Sequence, residues 1–175
     1  MKLNLGCGDN KLPGWVNKDA DVDISRRLPF KNESADYILC EHCVEHIPYY
    51  RAIEFFRECR RVLKLAGVAR IIVPSIEQIW KTADDEYCEF TTRWQKVGPT
   101  PRGAMSAILY AHGHKTAWTA SLLEATLYFA GFDKVKKCWP HVSEHVELNG
   151  VDGHHHMIGR RFNEIESIVF VGSAS

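Results

Sequence analysis

The residues of this 175-residue chain whose types and spacing could do chemistry are two glycines, three aspartates and a scatter of histidines. Gly6-Cys7-Gly8 breaks an apolar run, and glycine there permits positive φ and close approach of a ligand to the backbone. Asp19, Asp21 and Asp23 follow Trp15-Val16-Asn17-Lys18, a second strand-like run. A strand, a Gly-x-Gly loop and a second strand ending in an acid set backbone N–H groups and a carboxylate at the carboxyl edge of a parallel sheet. Nucleotides bind α/β proteins at that edge, and a carboxylate there can accept both hydroxyls of a ribose. Asn10 and Lys11 stand where a dinucleotide fingerprint has its third glycine, and Asp19 follows Gly8 by eleven residues instead of about 20. Both departures count against a pyrophosphate cofactor such as NAD and favour a ligand with a ribose and no phosphate. The plainer reading of the three aspartates is a solvated turn.

The elements that must position these groups are short. Lys2 to Leu5 reads as a strand, Pro13-Gly14 as a turn, and Ala35 to Cys40 as a buried strand followed by a loop through Pro48. From Tyr49 to Leu65 apolar residues recur at helical spacing, with Gly67 placed as a C-terminal cap. Val68 to Val73 is a β-branched strand stopped by Pro74, Ile76 to about Trp94 reads as one helix, and Gly98 to Gly103 as loop. The stretch from there to Trp118 shows no clean period and is expected to be a lid or substrate segment. Thr119 or Ser121 caps a helix ending at Gly131, Phe132 to Trp139 reads as a strand, and Glu166 to Val171 is a closing strand. Strands alternating with helices predict an α/β fold, a mostly parallel sheet with helices on both faces.

Twenty-two Lys+Arg balance twenty-two Asp+Glu, so no overall field draws the chain to nucleic acid or anionic lipid. With 45% hydrophobic and 25% charged residues it has the composition of a soluble globular protein, and no apolar run approaches the roughly 20 residues of a membrane span. The amino terminus moves straight into a strand without a signal-peptide pattern, which predicts a cytoplasmic protein. Six cysteines scattered among the elements are expected as thiols. Cys40-Glu41-His42-Cys43 is a CxxC, but charged and bulky residues between the thiols argue against a redox pair. His141, His145 and His154-His155-His156 have no ligand partner at a recognised spacing, so no metal is expected, and the run is read as structural, at the surface, or at the substrate mouth.

The amino-terminal half resembles the class I S-adenosylmethionine-dependent methyltransferases, in particular small members with a loop in place of the first helix. The resemblance rests on Leu3-Asn4-Leu5-Gly6-Cys7-Gly8, Gly14-Trp15-Val16-Asn17-Lys18-Asp19, Leu28-Pro29-Phe30 with Asp36, Val44-Glu45-His46-Ile47, and Arg61 to Gly67 before Ile71-Ile72-Val73-Pro74. It is dense over residues 2 to 76 and weak over Thr119 to Phe132. It implies a Rossmann-like sandwich forming a single domain, with residues 1–76 binding cofactor and 77–175 forming the lid, the substrate half and the closing strands. Gly6, Cys7 and Gly8 would pass under the amino-acid part of S-adenosylmethionine, with Leu5 and Ala20 also at the cofactor. Asp19 would accept from the ribose hydroxyls, Asp23 with Ile24 would lie against the adenine, and Glu41 and His42 would face the sulfonium. Two departures stand out: the link from Asp19 to Asp23 is short enough for Asp21 to take either neighbour's role, and Leu65-Ala66-Gly67 replaces the usual Pro-Gly-Gly turn.

Methyl transfer from a sulfonium is an in-line displacement, so the protein must align the reactants and, for an oxygen or nitrogen acceptor, take up a proton. His42, His46, His112 and His114 are the candidate bases, with His42 and His114 ahead of His46, and a base beside a sulfonium must be neutral. Near-zero charge and small size favour a small-molecule acceptor, such as a sugar or secondary metabolite, over nucleic acid, membrane or a large protein. Monomer and homodimer both remain open. Trp15, Trp80, Trp94, Trp118 and Trp139 offer stacking surface for a ring, with core packing as the plainer reading. The alternatives are a catalytically silent methyltransferase-like binding module and, less well supported, a nicotinamide oxidoreductase.

Overall fold

Only ten residues separate Leu5, the end of strand β1 (Lys2–Leu5), from Val16, the start of β2 (Val16–Lys18). A parallel crossover through a helix needs a dozen or more, so the link is an irregular loop. The computed structural model describes residues 1–96 and 98–173, with all their side chains except those of Trp94 and Gln95. The other strands are β3 (Ala35–Glu41), β4 (Leu63–Pro74), β5 (Lys134–Cys138) and β6 (Ser167–Ser173), in the spatial order β2-β1-β3-β4-β6-β5. The first four are mutually parallel, and β6 runs antiparallel to both β4 and β5. The sheet is therefore mostly parallel, as expected.

The central strands bury both faces, which is why they read as continuous apolar runs. Ile38, Cys40, Ile71, Val73, Ile168 and Phe170 face one side, where they pack against Phe55, Phe56 and Cys59 of helix α1 (Tyr49–Val62) and Leu123 and Leu127 of α5 (Ala120–Phe129). Their alternating neighbours Leu39, Ile72, Val169, Val68 and Val171 face the other side. The cover there is largely irregular chain: Leu12 and Trp15 from the β1–β2 loop, and Leu148 and Val151 from the segment after β5.

A third group of helices stands at the carboxyl edge of the parallel strands. Helix α2 (Ile76–Thr82) leaves β4 at Pro74, and α7 (Arg160–Glu166) enters β6 at Ser167, which pairs with Pro74. With α3 (Asp85–Gln95) and α4 (Pro101–Tyr110) they share a separate small core of Ile79, Tyr87, Ala104, Ile108 and Ile165. A short α6 (His155–Ile158) precedes α7.

Several boundaries differ from the sequence expectation. The helix after Pro48 ends at Val62, and Gly67 is no cap but lies within β4, in an irregular stretch where Ala66 takes φ 59°. There Leu63 pairs with Ala35 and Val68 with Tyr37, so three extra residues bulge out of the ladder. The run from Ile76 is two helices, because the Asp84 side chain accepts from the Tyr87 N–H and starts a new one. Residues 98–103 are not all loop: Thr100 caps α4 and Pro101 occupies its first turn, where the missing N–H costs nothing.

Candidate functional site

The glycine loop is held in a tight, open form. Gly6 has φ 69°, and a Cβ there would lie 2.4 Å from Cys43 Sγ, so neither conformation nor space admits a side chain. The Cys7 N–H donates to the Lys18 carbonyl at 3.0 Å, which ties the loop to the end of β2 and brings Asp19 beside it. Gly8 has φ 45° and open space where a Cβ would be. Of the three aspartates, two are committed to local turns. Asp21 accepts from Lys18 Nζ at 2.5 Å and from the Asp19 N–H at 3.0 Å, and the Lys18 bond holds its carboxyl below the usual range. Asp23 accepts from the Ser25 hydroxyl at 2.6 Å, its N–H at 2.9 Å and Arg26 Nε at 3.0 Å, the Ser25 hydroxyl contributing most to its lowered pKa. Asp19 and Ala20 stay exposed at the strand end, while the side chains of Leu5 and Ile24 point into the main core. An open glycine next to an exposed carboxylate fits a ribose-bearing ligand without phosphate.

At the end of β3 the Glu41 carboxylate accepts from the backbone N–H groups of Gly153 and His154, at 2.7 and 3.2 Å. Asn10 Nδ2 donates to the Val151 carbonyl at 3.0 Å, and a Cβ on Gly153 would meet the Asn10 side chain at 2.4 Å. Residues 151–154 thus form a strap laid from the glycine loop across the end of β3. Sequence reading assigned Glu41 to the sulfonium; in the structure its oxygens hold this strap.

His42, at φ 46°, turns its ring into a polar network. Nε2 lies 2.8 Å from Ser167 Oγ, whose own hydrogen goes to Asn163 Oδ1, so His42 must donate. Nδ1 faces Glu45 Oε1 at 3.6 Å, and the ring stacks on His154 with centroids 3.8 Å apart. Burial alone would lower the imidazole pKa, but Glu45, Glu166 and Glu41 outweigh it and raise it to about 9. His42 is therefore an imidazolium near neutral pH, a form that cannot accept a proton. Glu166 is kept below the usual carboxylate range despite its burial, by His154, by His42 and by the Tyr87 hydroxyl at 2.9 Å.

A cavity of about 560 Å³ opens beside this network, within the range of small-molecule sites. His42, Glu45, His154 and Glu166 line it, as do His46, His112 and His114. Glu45 and His46 sit on a 3-10 turn (Val44–His46), and the Glu45 carbonyl accepts from the N–H groups of Lys115 and Thr116, at 2.7 and 3.2 Å. Those bonds fix His114, half-buried, with its ring edge-on to His46 at 4.8 Å. Burial lowers the His114 pKa and the neighbouring His46 and His112 add to this, against an opposing pull from Glu45. It is neutral at physiological pH.

The structure thus brings His42 and His114 to one cavity and sets Asp19, Gly6 and Gly8 at the adjoining strand ends. Of the carboxyl-terminal histidines, His154 lines the cavity, whereas His155 packs on His141 at 4.2 Å. Among the described tryptophan side chains none lines it: Trp118 is core, Trp15 covers the sheet, and Trp80 and Trp139 are exposed elsewhere. The Trp94 side chain lies outside the described residues. Cys40 is fully buried in β3, and a hydrogen bond with Cys43 together with burial raises its pKa well above that of a free thiol, which leaves no reactive thiolate there. Sequence reasoning missed Glu166 and the inward turn of Glu45. The only signal was that each acid adjoins an apolar run.

Residues 7–71 match a family described as methyltransferase domain. No curated protein sequence matches the chain. Among solved structures it is similar to a SAM-dependent methyltransferase from Archaeoglobus fulgidus, at TM-score 0.55 and 15% identity over 98% of this chain and 85% of that one. It is similar to a chain of the Haloferax volcanii complex between the Trm112 methyltransferase activator and a methyltransferase, at TM-score 0.59 and 13% identity over 99% and 81%. A SAM-dependent methyltransferase from Thermotoga maritima aligns at TM-score 0.52 and 16% identity over 100% and 82%. The family match covers Cys7, Gly8, Asp19 and β3, over less than half of the chain, and the solved structures share its fold: the chain has the α/β fold of the class I methyltransferases, with a methyltransferase-domain match over its amino-terminal part.

Proposed function

We propose that the chain transfers a methyl group from S-adenosylmethionine to a small molecule, a sugar or secondary metabolite, bound in the histidine-lined cavity. The observation that carries this reading is that His42 belongs both to the strand end beside the glycine loop and to the cavity wall, so acceptor and cofactor meet there. S-adenosylmethionine supplies the activated methyl carbon, and the chain's own residues do the rest. Asp19 accepts from the ribose hydroxyls, Gly6 and Gly8 let the amino-acid part approach the backbone, and the strap at residues 151–154 closes one side. His42 has its ring fixed between Ser167 and Glu45 and gives this end of the cavity a positive charge, while Glu45 and His114 face the acceptor's nucleophilic atom and its proton. In one domain, residues 1–76 supply the cofactor half and, through His42, Glu45 and His46, part of the acceptor wall, and the later residues supply the rest of that wall and the strap.

Among the described residues no helix is long and apolar enough to cross a membrane. We place the reaction in the cytoplasm, with free thiols at all six cysteines in support, and expect neither a nucleic-acid nor a membrane partner.

Calorimetric titration of S-adenosylmethionine and S-adenosylhomocysteine into wild type and Asp19→Ala, followed by an acceptor screen that reads S-adenosylhomocysteine release, tests the reading. Loss of charge-assisted hydrogen bonds of about 1.5–3 kcal/mol predicts a Kd raised roughly 10–150-fold in Asp19→Ala. Binding without turnover on any small acceptor would leave a silent binding module. Unchanged binding in the variant would remove Asp19 from the ribose.

A further inference from the structure

Glu45 is a carboxylate at 0% exposure, and neither of its oxygens has a hydrogen-bond partner. His42 Nδ1, 3.6 Å away, balances its charge without making a bond. A buried carboxylate left in this state is costly unless something else engages it. Around it, one donor atom each of Glu45, His46 and His114 lies within 4.8 Å of the other two. Three ligands about 2.1 Å from a tetrahedral ion lie roughly 3.4 Å apart, so small side-chain rotations close the set. The scaffold is fixed in advance: Lys115 and Thr116 donate backbone N–H groups to the Glu45 carbonyl, and Thr116 Oγ1 donates to the Ile47 carbonyl at 2.8 Å. In a second cluster of the same proximity, His42 is bonded to Ser167 and Glu166 to Tyr87, and His154 Nε2, without a hydrogen bond, faces Glu166 Oε1 at 3.3 Å, so one free donor is left there against the two free oxygens of Glu45.

We infer that Glu45, His46 and His114 form a two-histidine, one-carboxylate site for a divalent first-row transition ion in the wall of the acceptor cavity. Two imidazoles and one carboxylate are the donors that zinc and its neighbours favour, and three protein ligands leave a coordination position open. That position faces the cavity, where the ion's charge favours ionisation of an acceptor hydroxyl, whose proton goes to solvent. Glu45 and His114 then act on the acceptor through the ion instead of taking its proton directly. This use of the ion rests on the methyl-transfer reading above, but its binding does not, so the test omits both cofactor and acceptor.

The full chain, freed of metal with a chelator, is titrated with zinc chloride by calorimetry and with cobalt(II) chloride by visible absorption, and its melting temperature is read with and without zinc. The expected result is one ion per chain, cobalt ligand-field bands and a zinc-dependent rise in melting temperature. Glu45→Gln and His114→Ala weaken binding by more than the roughly 10–100-fold typical of outer-shell changes, and His154→Ala binds as wild type. His114 is only half-buried, so His114→Ala keeps the test decisive if Glu45→Gln folds poorly. Absence of stoichiometric binding in wild type, binding retained in both ligand variants, or binding abolished by His154→Ala would overturn the site. Metal binding without methyl transfer would leave the site standing and overturn only the proposed use.

Discussion

Arg70 stands in the middle of β4 at 0% exposure, and its removal from solvent is made tolerable by one carboxylate 82 residues away. Nε and Nη2 donate to the two oxygens of Asp152 at 2.6 and 2.5 Å, and Nη1 and Nη2 also reach the carbonyls of Val142 and Trp139 at 3.0 and 3.2 Å. The pair therefore fastens residues 139–152 to the second sheet face, immediately before the strap that Glu41 holds. Asp152→Ala leaves a buried guanidinium without its counter-charge, which costs about 3–5 kcal/mol. For a chain of this size that lowers the melting temperature by roughly 6–20 °C. Replacing both partners with apolar residues, Arg70→Met with Asp152→Leu, removes the stranded charge and should recover much of the loss, although the His141 N–H that Asp152 accepts at 2.6 Å then goes unpaired. Urea unfolding of the two single variants and the double variant gives the coupling energy, and hydrogen exchange over 139–154 shows whether the strap loosens. A loss below about 1 kcal/mol in Asp152→Ala, the range of an exposed pair, or a double variant as unstable as the sum of the singles, would refute the reasoning.

Three other perturbations follow from the same packing. Ala66 occupies a left-handed conformation at φ 59° that costs an alanine about 1–2 kcal/mol, so Ala66→Gly should raise the melting temperature by a few degrees after the entropy of glycine is subtracted, and a fall would contradict the bulge geometry. Gly6→Ala sets a methyl 2.4 Å from Cys43 Sγ at φ 69°, and should both lower stability and weaken S-adenosylmethionine binding in calorimetry; wild-type affinity would show that the loop does not touch the cofactor. Arg61, hydrogen-bonded at 2.6 and 2.8 Å, holds the Glu58 carboxyl below its usual value, with the Leu28 N–H assisting and burial opposing. A depressed carboxylate pKa contributes stability above the unfolded value of about 4.3 that is lost as pH falls through the folded value, so the acid-side drop in urea midpoint should be shallower in Glu58→Gln.

How much of this was legible in the sequence depends on whether the signal was local. Gly6 and Gly8 announce a turn because no other residue takes those angles cheaply, and Asp19 follows a strand within the same short window. The Leu28-Pro29-Phe30 piece is explained by Arg61, which donates to the carbonyls of Leu28 and Phe30 and so pins the segment to α1. By contrast, the single helix read from Ile76 hid a break, since Asp84 looks like any surface acid until its side chain is seen accepting from Tyr87. Residues 140–166 carry helices of four and seven residues, too short to show a period.

The candidate site divides along the same line. His42 and His114 stand out in the sequence because imidazole titrates near neutral pH, but sequence treats them as equals, and it is the packing around each ring that separates them. Glu45, three residues on, then Glu166 from 124 residues away, and Glu41 make His42 a cation. His114 has two histidines and its own burial to keep it neutral. One imidazolium and one neutral imidazole line the same cavity, and on the reading proposed above the first is a fixed positive group and the second a lone pair available to an ion that faces the acceptor. Arg70 shows the same logic in the framework. A cation inside Val68-Ala69-Arg70-Ile71 demands a partner that the local sequence cannot name, and finding that partner in Asp152 explains why a segment whose one regular element is a three-residue 3-10 turn still sits firmly on the sheet, next to the strap that Glu41 holds.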